Sequence, residues 1–239
     1  MSKRTRAVAP EQTSSPRVMA ALLVLSAVLA GIHLPMLYLG WLRLAAVAKV
    51  GSIVLLLAYA ERPTTPRSLL AALGLSALGD LFLGVIGVAR VSPELLFLVG
   101  LFSFLMAHLC YIRLFATHTE RLSRTFRRVG MALVGAVLTS MLAVLWPTLG
   151  GMRWPVVIYA IVLAAMAISA QRSKFPAMTA VGALLFVASD AMLAYARFHQ
   201  VFYGAAVFIW FSYYIAQVLI SMGVVRWFER PQTLVSTGN

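Results

Sequence analysis

Two aspartates interrupt long apolar runs. One lies in Leu78-Gly79-Asp80-Leu81-Phe82-Leu83, the other in Ala188-Ser189-Asp190-Ala191-Met192-Leu193. A carboxylate at mid-membrane costs roughly 2.5–3.5 kcal/mol on insertion scales, so it normally faces a partner or a wet cavity. The other acidic residues, Glu11, Glu61, Glu94, Glu120 and Glu229, fall in tails or at the ends of apolar runs. Asp80 and Asp190 are therefore the candidates for acid–base chemistry, or for proton or cation binding in a carrier. Lys49 is the one basic residue inside an apolar run. At 1.5 Å per residue, Asp80, Asp190 and Lys49 come out about 9–12 Å from the outer ends of their helices, and His108 and Tyr214 at about 18–20 Å.

That depth suggests a funnel with Lys49, Asp80 and Asp190 above and His108, Tyr111, Tyr214 and Gln217 below. Phe104, His108 and Tyr111 share one helical face, and Tyr213 and Gln217 share another. Each polar residue also has a purely structural reading. Lys49 could be only the ion-pair partner of an aspartate, and His108 only a bond between helices. Tyr111, Tyr159, Tyr213, Tyr214 and Gln217 could be packing or interhelical glue. His33, His118 and His199 lie near span ends and are expected to be solvated. One deep histidine without paired spacing gives no metal site. Cys110, the single cysteine, excludes an intrachain disulfide and is expected to pack.

The elements that must carry these residues follow from composition. Of 239 residues, 62% are apolar and 11% are charged. A soluble domain carries roughly 25% charged residues. About eight spans of roughly 20 residues would use most of the chain. We place them at 18–38, 41–60, 67–87, 95–117, 126–146, 154–171, 175–196 and 202–225, with the least certain division at Pro35 to Trp41. The fold class is an all-α polytopic membrane bundle of eight transmembrane helices over 18–225. Residues 1–17 form an N-terminal cytoplasmic tail and 226–239 a C-terminal one. The apolar run from Val18 lacks a clear cleavage site and reads as a retained signal anchor.

The net charge of +13 does not indicate nucleic acid, because the basic residues cluster between apolar runs where headgroups lie. Eight spans put Lys3, Arg4, Arg6, Arg17, Arg62, Arg67, Arg113, Arg121, Arg124, Arg127, Arg128, Arg172, Lys174, Arg226 and Arg230 on the side of the termini. The opposite side carries Arg43, Arg90, Arg153 and Arg197. The positive-inside rule then places both termini in the cytoplasm, in a bacterial cytoplasmic membrane. The halves also resemble each other. Phe102-Ser103-Phe104 with Ala107-His108 is echoed by Phe211-Ser212-Tyr213 with Ala216-Gln217, much as Asp80 is echoed by Asp190. This suggests a parallel four-plus-four repeat.

These segments resemble the YhhN family of membrane proteins, which includes animal lysoplasmalogenases. The resemblance covers roughly residues 40–225. It rests on Lys49, Gly79-Asp80, Ala107-His108-Leu109-Cys110-Tyr111, Tyr159 with Met166, Gly182-Ala183-Leu184-Leu185-Phe186 leading to Ser189-Asp190, and Tyr213-Tyr214-Ile215-Ala216-Gln217. One departure is Val50, where a proline is expected after the family's lysine. The resemblance implies an eight-helix fold and a lysophospholipid substrate; membrane lipids are the expected surroundings, and no cofactor is expected. It further implies hydrolysis of the vinyl ether bond of lysoplasmalogens to a fatty aldehyde and a glycerophospho-base.

A vinyl ether hydrolyses when an acid protonates the carbon β to oxygen and water adds to the resulting oxocarbenium ion. One carboxyl must supply the proton, and another must stabilise the cation and deprotonate water, much as in glycosidases. Asp80 and Asp190 fit as the catalytic pair. Lys49 could hold the lipid phosphate. His108, Tyr111, Tyr159, Ser189, Tyr213, Tyr214 and Gln217 are the expected substrate-binding set.

Overall fold

The computed structural model describes residues 15–119 and 125–230. Most of both expected tails (1–14 and 231–239) and the loop positions Glu120, Arg121 and Arg124 lie outside them. Eight α helices form: α1 (Pro16–Tyr38), α2 (Leu42–Ala60), α3 (Arg67–Gly84), α4 (Pro93–Ala116), α5 (Thr125–Leu145), α6 (Arg153–Gln171), α7 (Ala177–Phe198) and α8 (Ala205–Glu229). A 3-10 turn at Gly150–Met152 precedes α6. All eight are long and apolar enough to cross a membrane.

Local chemistry explains the ends. Ser15 caps α1 by accepting from the Arg17 amide, with Pro16 in the first turn, where a missing N–H costs nothing. Ser92 caps α4 through the Leu95 amide, followed by Pro93 and Glu94. α1 runs through Pro35 and ends at Tyr38, so that proline sits in the last helical turn. α2 continues straight through Lys49-Val50, consistent with the absence of a proline there.

Six helices close into a ring: α2 packs on α3, α3 on α4, α4 on α6, α6 on α7, α7 on α8, and α8 on α2. α1 lies outside against α2 and touches α8, whereas α5 lies outside against both α6 and α7. The two halves thus differ in how their first helix docks. Val24, Val47, Phe102, Ile161 and Phe208 are exposed along the helices, as a lipid-facing surface requires.

Two glycines set helix spacing near the aspartates. A Cβ at Gly79 would lie 2.6 Å from the Phe104 ring, and one at Gly182 would lie 2.9 Å from the Ala216 carbonyl. Small residues let membrane helices approach closely, here α3 on α4 and α7 on α8.

The end of the bundle that carries the start of α1 is the near end; the other is the far end. At the near end, Arg62 pairs with Glu229 at 3.1 Å, and Thr119 bridges Ser173 in antiparallel fashion. Arg127, one of the basic residues counted on the side of the termini, is 6% exposed. It donates to the carbonyls of Ser173 and Phe175, which a buried guanidinium needs.

Candidate functional site

The first carboxyl centre is built by α2, α3 and α8. Asp80 is 1% exposed, and both of its oxygens are occupied. Oδ1 lies 3.0 Å from Lys49 Nζ, and Oδ2 accepts the Tyr213 hydroxyl at 2.6 Å. Tyr213 in turn accepts from Gln217 Nε2 at 3.3 Å, and Gln217 Oε1 accepts the Tyr111 hydroxyl at 2.5 Å. Trp210, Tyr213 and Gln217 recur at helical spacing and so present one face of α8. Lys49 Nζ lies 5.4 Å from the centroid of Trp210, whose indole N–H is held by the Ala30 carbonyl. A largely buried ion pair results, with the Tyr213 hydroxyl on the second carboxylate oxygen.

The second centre is built by α4, α6 and α7. Asp190 Oδ2 accepts the Tyr159 hydroxyl at 2.6 Å and lies 3.5 Å from His108 Nε2. His108 Nε2 also lies 3.0 Å from the Tyr159 oxygen. Tyr159 has one hydrogen and gives it to Asp190, so the hydrogen between His108 and Tyr159 sits on Nε2. His108 is packed edge-on against Phe186 and Tyr159. Asp190 is 12% exposed, so it is the more accessible of the two carboxyls.

Both centres line one cavity of about 470 Å³. Its polar wall contains Lys49, Asp80, Tyr159, Ser189, Asp190, Trp210 and Tyr213. An apolar arm extends among α5, α6 and α7, walled by Leu138, Met141, Leu142, Leu145, Val156, Ala160 and Leu163. The cavity reaches the far end at Leu42, Ile86, Arg197 and Phe198. Below it, His108, Tyr111 and Gln217 are fully buried.

The expected funnel is therefore corrected in its lower tier. His108, Tyr111 and Gln217 do not line the cavity; they stand behind Tyr159 and Tyr213 and hold them. Tyr214 belongs to neither tier. It is one residue, or about 100° of helix, beyond Tyr213, and its hydroxyl meets Ser26 Oγ at 2.9 Å. Ser189 lines the cavity, yet its hydroxyl donates to the Ile209 carbonyl of α8. Lys49 is committed to Asp80. His33 is buried rather than solvated, bonded to the Ala45 carbonyl at 2.9 Å and packed on Trp210 at 4.7 Å.

Three polar lining residues lay outside the expected set: His33, Trp210 and Arg197. Arg197 follows Asp190 at i+7 and Trp210 precedes Tyr213 at i+3, so helical spacing was the signal that could have found both.

Eight apolar helices around a cavity with a polar wall and an apolar arm define an integral, multi-pass membrane protein with an internal lipid-sized site. The chain belongs to the YhhN family, whose model matches residues 44–224. It is similar to two proteins named lysoplasmalogenase, from Mycobacterium bovis and Mycobacterium tuberculosis. Each is 37% identical over 161 residues, which is 66% of this chain and 60% of the relative. The match thus spans less than two thirds of the relatives' length. No solved structure matches.

Proposed function

We propose that this chain is a membrane hydrolase that cleaves the vinyl ether bond of lysoplasmalogens, releasing a fatty aldehyde and a glycerophospho-base. The name of its relatives supports the substrate class. The observation that carries the chemistry is the unequal occupation of two carboxyls on one cavity. Asp80 has a donor on each oxygen, whereas the partners of Asp190 converge on Oδ2. A carboxyl that accepts on both oxygens is suited to remain an anion. One with an uncommitted oxygen can carry a transferable proton.

In this reading Asp190 gives a proton to the β carbon of the vinyl ether. The C=C π pair forms the new C–H bond, and an oxygen lone pair completes the oxocarbenium ion. The Asp80 carboxylate, held by Lys49 and Tyr213, stabilises that cation from a fixed position in a low-dielectric site. Water then adds to the cationic carbon and returns a proton to Asp190. The hemiacetal transfers its hydroxyl proton to the ether oxygen as the C–O bond breaks, leaving aldehyde and alcohol. Tyr159 and His108 orient Asp190 throughout, and the apolar arm accommodates the hydrocarbon chain.

The carrier reading is less well supported. The ring helices run unbroken through the site, and the cavity is floored by fully buried side chains. The test is to incubate purified protein with vinyl-ether and ester lysophospholipids of matched chain length. Aldehyde should appear from the first and no fatty acid from the second. Ester cleavage without aldehyde would overturn the proposal.

A further inference from the structure

Lys49 is the expected site for a substrate phosphate, but its surroundings oppose one. Its ammonium is 3.0 Å from Asp80 and sits over Trp210. A phosphate placed there would meet the Asp80 carboxylate, and like charges at such range repel strongly in a low-dielectric site. A second cation lines the same cavity under different conditions. Arg197 is exposed at the far end, and among the described residues no carboxylate lies within ion-pair distance of it. Its guanidinium lies 5.1 Å from the centroid of Phe97, which packs edge-on against Phe198 at 5.7 Å. A guanidinium held over a ring can still present its N–H groups to a phosphate, bidentately where the geometry allows.

We infer that Arg197 is the phosphate-binding residue of this cavity, and that it selects phosphorylated glycerol ethers over neutral ones. The axial spacing along α7 is of the same order as the length of such a substrate. Arg197 follows Asp190 by two helical turns, about 10 Å along α7. The five bonds from an ether oxygen through glycerol to phosphorus span about 6 Å when extended. A charge-assisted hydrogen bond of about 2.8 Å completes the distance. With the phosphate at Arg197, the ether bond falls at the level of Asp190 and the chain continues into the apolar arm. Other cations at this end are not placed for the task. Arg43, Arg90 and Arg153 do not line the cavity, and Arg153 instead stacks on Trp146. Glu94, the acidic residue that begins α4, is close enough to Arg197 to feel its charge but lies beyond ion-pair distance, and it receives the Ser92 hydroxyl at 2.8 Å. The inference rests on the proposed reaction only for the identity of the bond at Asp190.

The test uses the full-length protein and two uncleavable probes, a saturated 1-alkyl lysophospholipid and the corresponding 1-alkylglycerol. Equilibrium binding of each is measured for wild type, Arg197→Met, Arg197→Lys and Lys49→Met, with thermal unfolding as a check on folding. Arg197→Met should weaken the lysophospholipid at least 10-fold and leave the alkylglycerol within about 2-fold, since only the charged contact is lost. Arg197→Lys should recover part of the loss, because it restores charge without the planar fork. Equal weakening of both probes, no weakening of either, or a phosphate-selective loss in Lys49→Met instead would overturn the inference. The two proposals fail separately. Arg197-dependent binding without aldehyde from a vinyl-ether substrate removes the reaction and keeps the phosphate site. Aldehyde release with an unchanged KM in Arg197→Met keeps the reaction and removes the phosphate site.

Discussion

At the residue scale, the two carboxyls should respond differently to amidation. Asp190→Asn removes the transferable proton and should lower aldehyde release by about 10²–10⁴, with the protein still folded. Asp80→Asn removes a preorganised charge and should cost about 10²–10³ in kcat. It also strands Lys49, so its melting temperature in detergent should fall while that of Asp190→Asn holds. Lys49→Met makes the reciprocal error. It leaves Asp80 buried without its cation, and removing one member of a buried pair typically costs 3–5 kcal/mol. Turnover and stability should therefore drop together, and Lys49→Met combined with Asp80→Asn should be more stable than Lys49→Met alone. A sharper comparison uses two neighbouring tyrosines. Tyr213→Phe deletes a hydrogen bond to a charged acceptor, worth roughly 1.5–3 kcal/mol, or about 10- to 100-fold in rate if felt in the transition state. Tyr214→Phe removes only the contact with Ser26 and should leave kcat within about 2-fold. Equal losses from both would mean that α8 presents a different face to the site.

At the scale of elements, the helices were readable and their faces were not. Span positions follow from the length of apolar runs, which the bilayer itself imposes, and all eight helices appear within a few residues of expectation. Orientation around each axis normally follows from an apolar stripe, but these helices are apolar on every side. Tyr213 and Tyr214 were therefore indistinguishable in sequence, although one serves Asp80 and the other faces Ser26. The legible exceptions were residues too costly to face lipid, namely Lys49, Asp80 and Asp190, and all three do line the cavity. The close approaches offer a test of how the elements hold them. Gly182→Ala forces a methyl against the Ala216 carbonyl, which is backbone and cannot swing aside. It should separate α7 from α8, cost about 1–3 kcal/mol, and reduce turnover by displacing Asp190 from Tyr213's helix. Gly135→Ala, with open space around the new methyl, should leave both properties unchanged or slightly improve stability. Thermal unfolding and aldehyde release, measured on the same preparations, decide the comparison.

At the scale of the whole molecule, the cavity is asymmetric along the membrane normal, so orientation determines which leaflet supplies it. We propose that the near end is cytoplasmic. Arg62, Arg67, Arg113, Arg172, Lys174 and Arg226 all lie toward that end, against Arg43, Arg90, Arg153 and Arg197 toward the other. The density of basic residues in short loops biases insertion in that sense. Arg197 should accordingly stand on the outer side, with its phosphate near the outer headgroup layer and the hydrocarbon chain lying deeper among α5, α6 and α7. The topology is tested by reporter fusions. A reporter following Asn239 or inserted near Arg121 should be active only if it works in the cytoplasm; one inserted near Arg90 or Gly151 should be active only outside it. With the opposite pattern, the bundle would be inverted and the cavity would draw on the inner leaflet. The two orientations also differ in an activity measurement. In sealed vesicles with the outer face exposed, an externally added membrane-impermeant lysolipid should be consumed at the same rate before and after detergent permeabilisation. A rate that rises only on permeabilisation would place the mouth of the cavity, and Arg197 with it, on the cytoplasmic side.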